Sequence, residues 1–132
     1  MTGPANERPK SVLVVEDEYL LARDMCKALL DIGAQPVGPV GELAKALQLA
    51  RETAELDAAI MDVNLRGEAA FPLADYLIEA GVPIILTTGY DCSSLPEKYR
   101  NVETWQKPLS LAELQRLLRS AIAGSRSLAP AR

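Results

Sequence analysis

Acidic side chains follow two apolar segments of this chain. Glu16 and Asp17 come directly after the run SVLVV, and Asp62 and Asn64 follow the run AAIM. Carboxylates that lie close together repel one another, which raises a pKa or attracts a cation. The sequence has no histidine, and oxygen ligands without His or Cys suit Mg²⁺ or Mn²⁺ better than zinc. The pattern therefore predicts a magnesium site.

Two further polar residues stand where later apolar segments end. Thr88 follows the run PIILT, and Lys107 follows the segment ETWQ. An aspartate beside a bound metal and an ammonium can attack a phosphoryl group as a nucleophile. The metal and the lysine would neutralise charge on the transferring oxygens, and a threonine hydroxyl would hydrogen-bond the attached group. Together these residue types indicate phosphoryl-transfer chemistry.

Each of these features also has an ordinary structural explanation. An acidic pair after a strand often serves a helix N-terminus. An aspartate after a strand is usually a turn residue, and threonine favours strands. Their joint occurrence at four strand ends is what favours a functional site.

The apolar pattern divides the chain into elements that would position these residues. Helices are predicted between the strands. The helix after the first strand ends before Gly33, and the third helix ends before Gly81. The last helix begins with a capping box from Ser110 to Glu113. A helix over 41–54 would turn Ala54 inward, and residues 91–101 would hold a helical turn or two. The predicted strands cover residues 11–15, 35–37, 58–61, 83–87 and 103–106.

Strands that alternate with helices predict a parallel sheet covered on both faces. Ligands bind such sheets beyond the carboxyl ends of the strands. All the polar residues named above would therefore share one edge.

Composition sets the broad class of protein. The 132 residues predict one domain over residues 11–123, with flexible tails at 1–10 and 124–132. A net charge of −4 without a basic stripe predicts no binding to nucleic acid. The absence of a signal sequence or a long apolar run predicts a cytoplasmic protein without a membrane span. Cys26 and Cys92 lack the spacing of a metal or disulfide framework and are expected to be free thiols.

Four segments resemble, in order, the motifs of response-regulator receiver domains of two-component signalling. They are VLVVEDE, MDVNL, LTTGY and WQKPL, and the likeness runs from about Val12 to Ile122. The resemblance implies an α/β, flavodoxin-like (βα)5 fold, a doubly wound parallel sheet of strand order 2-1-3-4-5. The short segment between Asp62 and Thr88 implies a shortened third helix, and the polar segment 91–101 implies a shortened fourth helix.

The resemblance also implies a role for each polar residue. Glu16 and Asp17 match the acidic pair that organises Mg²⁺, and Asp62 matches the phosphoacceptor. The backbone carbonyl of Asn64 would complete the metal site. Thr88 would be the switch hydroxyl, and Lys107 would contact the phosphoryl group.

A receiver takes its phosphoryl group from a sensor histidine kinase or a phosphotransfer protein. It is not an enzyme beyond its own phosphorylation and dephosphorylation. This chain would then signal to a downstream protein partner through residues 90–122.

The segments from MDVNL to WQKP are similar to a finer subset, the alphaproteobacterial FATGUY receivers, which are often stand-alone proteins. Leu86 and Thr87 stand where that motif has Phe-Ala. Glu16 replaces the more usual Asp. Thr104 stands where many receivers have an aromatic switch residue, and Trp105 is expected to face the core instead.

Several alternatives stay open or are disfavoured by spacing. The chain would otherwise be a receiver segment of a hybrid histidine kinase, although Met1 and the short tail favour a complete regulator. A binding module that uses the same fold without phosphorylation is a further alternative. A haloacid-dehalogenase phosphohydrolase would carry its DxD-like motif after the first strand, whereas Asp62-Val63-Asn64 follows the third strand here. A Rossmann unit would show G-x-G-x-x-G after the first strand, and this sequence has no such motif there.

Overall fold

The apolar segments form the strands of a parallel sheet in the computed structural model, which describes residues 8–89 and 95–123. Five strands pair in parallel in the order β2-β1-β3-β6-β7, while β4 and β5 form a separate antiparallel hairpin. Without the hairpin, this is the predicted order 2-1-3-4-5, and the flavodoxin-like fold is confirmed. The strands are β1 Ser11–Val15, β2 Gln35–Val40, β3 Ala58–Asp62, β4 Asn64–Leu65, β5 Glu68–Ala69, β6 Ile84–Thr88 and β7 Glu103–Gln106.

Within the described residues, four α-helices cover the two faces of the sheet. They are α1 Tyr19–Asp31, α2 Leu43–Glu52, α3 Phe71–Glu79 and α4 Leu111–Ala123. The prediction that the second helix reaches residue 54 was wrong, because the helix ends at Glu52 and Ala54 is exposed. The capping box is confirmed: Ser110 Oγ accepts the Glu113 N–H at 3.1 Å, and Glu113 Oε1 accepts the Ser110 N–H at 3.2 Å.

The α1–α4 face of the sheet is packed by alternate residues of the strands. Trp105 is buried there, as predicted, and its Nε1 donates to Glu103 Oε2 at 2.9 Å. Gln115 Nε2 donates to Asp31 Oδ2 at 2.6 Å, which joins the two helices at their surface. The buried side chains on this face include Val12, Val14, Met25, Leu29, Ile60, Ile85, Leu114 and Leu118.

The α2–α3 face is closed partly by irregular chain. Residues 95–102, which we call the strap, follow residues 90–94, which lie outside the described part, and contain a 3₁₀ turn at Glu97–Tyr99. The Tyr99 ring is buried and stacks on Phe71 with ring centroids 4.7 Å apart. The Tyr99 hydroxyl donates to Asp75 Oδ1 on α3. The strap is thus packed against α3 through the ring and the hydroxyl of Tyr99.

Some expectations from the sequence fall outside the described residues. Cys26 is half-buried and free, whereas Cys92 is not described. The tails at 1–10 and 124–132 stay a prediction; within the first, Arg8 pairs with Asp57 at 2.8 Å and with Glu55 at 2.6 Å. Among residues 8–89 and 95–123, no helix is long and apolar enough to cross a membrane.

Candidate functional site

The carboxyl ends of β1 and β3 bring the acidic residues together. Val15 pairs with Met61 in the parallel register, so Glu16 and Asp62 come next to each other where the strands end. The ligand oxygens of Glu16, Asp17 and Asp62 all lie within 4.8 Å of one another. The three carboxylates predicted from the sequence to converge therefore do so.

Lys107, which follows the edge strand β7, reaches into this acidic cluster. Its Nζ lies 2.6 Å from Asp62 Oδ2, 3.1 Å from Glu16 Oε2 and 3.3 Å from Glu18 Oε1. The contact with Glu18 was not expected, because the sequence motif singled out only the two acidic residues before it. Hydrogen bonds between ionised groups are stronger than neutral ones, so the ammonium is firmly placed beside Asp62.

Burial and neighbouring groups together shift the pKa values of Glu16 and Lys107. Desolvation raises the pKa of Glu16 to about 7; the Asp62 charge adds to this rise, and the Glu18 N–H and Lys107 oppose it. Burial alone would lower the pKa of Lys107, but its hydrogen bond to Asp62 and the charges of Glu16 and Asp62 raise it above its ordinary value. Lys107 therefore stays charged at neutral pH.

One oxygen of the cluster has no partner among the residues that the structure describes. Within that part of the chain, Glu16 Oε1 is buried and accepts no hydrogen bond, while Oε2 accepts from Lys107 and from the Glu18 N–H. A buried acceptor without a partner is costly. An oxygen-binding cation would supply the missing partner, and the donor set of three carboxylates suits Mg²⁺ or Mn²⁺.

The hairpin of β4 and β5 orients the carboxylates from the other side. The Asn64 N–H donates to Asp62 Oδ1 at 3.0 Å, and the Arg66 N–H donates to Asp17 Oδ2 at 2.8 Å. The turn that allows this has positive φ at Arg66 (54°) and Gly67 (87°), and the Gly67 N–H donates to Asn64 Oδ1 at 2.8 Å. Sequence reasoning missed the hairpin, because strands of two residues show no periodic pattern. The backbone carbonyl of Asn64 as a metal ligand stays a prediction.

Thr88 lies at the same edge of the sheet, at the end of β6. It is fully buried, and its carbonyl accepts the Lys107 N–H at 2.8 Å. Its role as a switch hydroxyl stays a prediction. The neighbouring Thr87 pairs in register with Asp62, and its hydroxyl is buried without a hydrogen-bond partner in the described part of the chain. The sequence did not predict this burial of the Thr87 hydroxyl.

Comparisons with known proteins agree with this geometry. No protein-family model matches the chain. The structure of SdrG from Sphingomonas melonis Fr1 is 32% identical and superposes with a TM-score of 0.73, covering 88% of this chain and 98% of SdrG. The receiver domain of the PhyR response regulator from Erythrobacter litoralis shares the fold at 18% identity and a TM-score of 0.73, covering 88% of this chain and 92% of that domain.

The transcriptional regulatory protein PdtaR of Mycobacterium tuberculosis is a curated relative at 29% identity. The match covers 97% of this chain, which spans 66% of the length of PdtaR. The ordered motifs, the strand order and these likenesses together show that the chain belongs to the receiver domains of two-component response regulators.

Proposed function

We propose that this chain is a phosphoacceptor in a two-component phosphorelay and that Asp62 takes the phosphoryl group. The observation that carries the proposal is the approach of Lys107 Nζ to Asp62 Oδ2, at 2.6 Å, inside a cluster of carboxylates. A structural ion pair needs only one carboxylate beside the ammonium. A transferring phosphoryl group needs cations around it, and the further carboxylates could hold a metal cation beside Lys107. Receiver domains are signalling modules, and we propose that this one catalyses only its own phosphorylation and dephosphorylation.

Each polar residue has a place in the proposed chemistry. An oxygen of Asp62 attacks phosphorus while the Asn64 N–H holds its other oxygen, and the donor's leaving group departs with the electron pair of the broken bond. Lys107 stabilises the negative charge that spreads over the phosphoryl oxygens. Thr88 would donate its hydroxyl to the attached group.

The residues at this edge fit a bound Mg²⁺, with Mn²⁺ as a substitute. Glu16, Asp17 and Asp62 would hold the ion, together with the backbone carbonyl of Asn64. When bound, the ion would neutralise charge on the phosphoryl group. The orphaned Glu16 Oε1 and the absence of soft ligands in the cluster support this assignment.

We further propose that the donor is a sensor histidine kinase or a phosphotransfer protein and that the output surface lies within residues 90–122. The strap and β7 support this, because both lie between Thr88 and Lys107 along the chain. Hydrogen exchange with and without beryllofluoride, a stand-in for the phosphoryl group, tests the surface. Changes confined to residues 11–70 would exclude it.

The remaining parts of the proposal follow from charge and composition. A net charge of −4 supports a protein that does not bind nucleic acid. We propose separately that it works in the cytoplasm and has no membrane partner. We place the receiver domain at residues 11–123. A receiver segment of a hybrid histidine kinase remains the alternative arrangement.

Phosphorylation of the isolated protein tests the function directly. Acetyl phosphate with Mg²⁺ should add one phosphoryl group that is labile to base, and Asp62→Asn should abolish it. Asp31→Asn is the matched control, because Asp31 ends α1 at the opposite edge of the sheet and its amide would still accept from Gln115. Intact-protein mass spectrometry provides the measurement, and labelling of Asp62→Asn at the wild-type level would refute the assignment.

A further inference from the structure

The Lys107 ammonium is fully engaged before any phosphoryl group arrives. An ammonium has three N–H donors. Three carboxylate oxygens, from Asp62, Glu16 and Glu18, lie within 3.3 Å of Nζ. A new contact from Lys107 to a phosphoryl oxygen therefore requires that one present partner gives way.

The three partners differ greatly in how easily they can leave. The Glu16 side chain is 0% exposed and that of Asp62 is 8% exposed, whereas that of Glu18 is 64% exposed. Releasing a buried carboxylate would leave an unpaired charge away from water, which is costly. An exposed carboxylate is rehydrated at once, and its ion pair is weak to begin with. Glu18 is thus the partner that can exchange.

Glu18 also lines the cleft that contains the site. Its backbone N–H donates to Glu16 Oε2 at 3.0 Å, which fixes its place at the start of α1. Its side chain borders the cleft that contains Asp62 and Asn64, and also the neighbouring groove lined by Tyr19 and Pro108. A phosphoryl donor in the cleft would therefore lie beside an exposed carboxylate that already contacts Lys107.

Building on the proposed phosphoacceptor function, we propose that Glu18 is a positioning residue that occupies Lys107 in the resting protein and is displaced by the incoming phosphoryl group. As the Asp62–phosphorus bond forms and the bond to the leaving group breaks, one Lys107 N–H turns from Glu18 to a phosphoryl oxygen. Glu18 then returns to water, and no reactant beyond the phosphoryl donor is needed. Competition of this kind weakens the binding of small anionic donors while leaving the transfer step unchanged.

The test measures phosphorylation of the full chain by acetyl phosphate with Mg²⁺ over a range of donor concentrations. In Glu18→Gln, the donor KM should fall about three- to tenfold, the scale of one exposed charge close to an anion. The limiting rate should stay within about twofold, since Lys107 and the carboxylates of the cluster are intact. Added salt should shrink the difference in KM.

Two variants separate contact from overall charge. Glu79→Gln makes the same change in net charge at the exposed C-terminal end of α3, and its KM should match the wild type. Glu18→Asp keeps the charge, but its shorter side chain should not reach Lys107, so its KM should lie between those of the wild type and Glu18→Gln. Should Glu18→Gln fold poorly, Glu18→Asp carries the test. The affinity for beryllofluoride, measured without any phosphoryl transfer, should rise from the wild type through Glu18→Asp to Glu18→Gln.

The outcomes distinguish this inference from the function on which it rests. A wild-type protein that never labels Asp62 would refute the proposed function itself. Normal wild-type labelling, with an unchanged or raised KM in Glu18→Gln, would overturn the role of Glu18 alone. An equal fall of KM in Glu79→Gln would also overturn it, because net charge would then be the cause.

Discussion

The two faces of the sheet are closed by different means. On one face, α1 and α4 are both 13 residues long, and they bury a continuous apolar layer that includes Trp105. On the other face, α2 and α3 have only 10 and 9 residues, and the strap completes the layer with Leu95 and Tyr99. Each long helix is held by many buried side chains, whereas the strap is held by Leu95, Tyr99 and the Lys98–Asp75 ion pair and can detach locally. The difference places the adaptable surface on the α2–α3 face.

Truncation on the α1–α4 face should have the largest effect. Leu118→Ala is expected to lower the free energy of unfolding by about 3 kcal/mol, because Leu118 is buried among long helices that cannot collapse around the gap. Leu30→Ala, at an exposed position on α1, should change it by less than about 0.5 kcal/mol. Urea denaturation at neutral pH measures both. A loss below about 1 kcal/mol for Leu118→Ala would show that this face is loosely packed.

A smaller and more local effect is expected on the strap. Tyr99→Phe keeps the ring stacked on Phe71 but removes the hydrogen bond to Asp75, which should cost about 1 kcal/mol. Hydrogen exchange should accelerate in residues 95–102 and stay unchanged in α4. Tyr19→Phe, at a position that is 76% exposed, is the control. Equal acceleration in α4 would mean that the two faces open together and would remove the contrast.

Lowering the pH should remove the stability difference caused by Tyr99→Phe and leave the one caused by Leu118→Ala. Hydrogen bonding by Tyr99, with help from Lys98, lowers the pKa of Asp75 below its ordinary value of 3.8. A depressed pKa in the folded protein gives stability that is present above the unfolded pKa and is lost as pH falls through the folded pKa. The difference between wild type and Tyr99→Phe should therefore shrink below about pH 4. The loss in Leu118→Ala should persist, since that substitution removes no titrating group. A Tyr99→Phe difference that grows on acidification would contradict this.

The sequence predicts the site better than it predicts the loops around it. Glu16, Asp62 and Lys107 could be placed together because parallel strands end at one edge, and that rule needs only the order of the strands. The role of Glu18 could not be predicted, because its contact with Lys107 depends on a rotamer and on the distance between two loops. Tyr99 lies in a polar segment without periodicity, so its burial against Phe71 depends on tertiary packing.

The distance along the chain between the members of the ion cluster has a consequence for synthesis. Glu16 and Lys107 are 91 residues apart, and Lys107 directly follows β7, which is an edge strand and the last of the described strands to be synthesised. A nascent chain that stops short of β7 would present the carboxylates without their ammonium. In that unfinished state, the mutual repulsion of the carboxylates opposes their close packing at the strand ends. Readiness to accept a phosphoryl group would then depend on the pairing of β7 with β6, which brings Lys107 to the carboxylates.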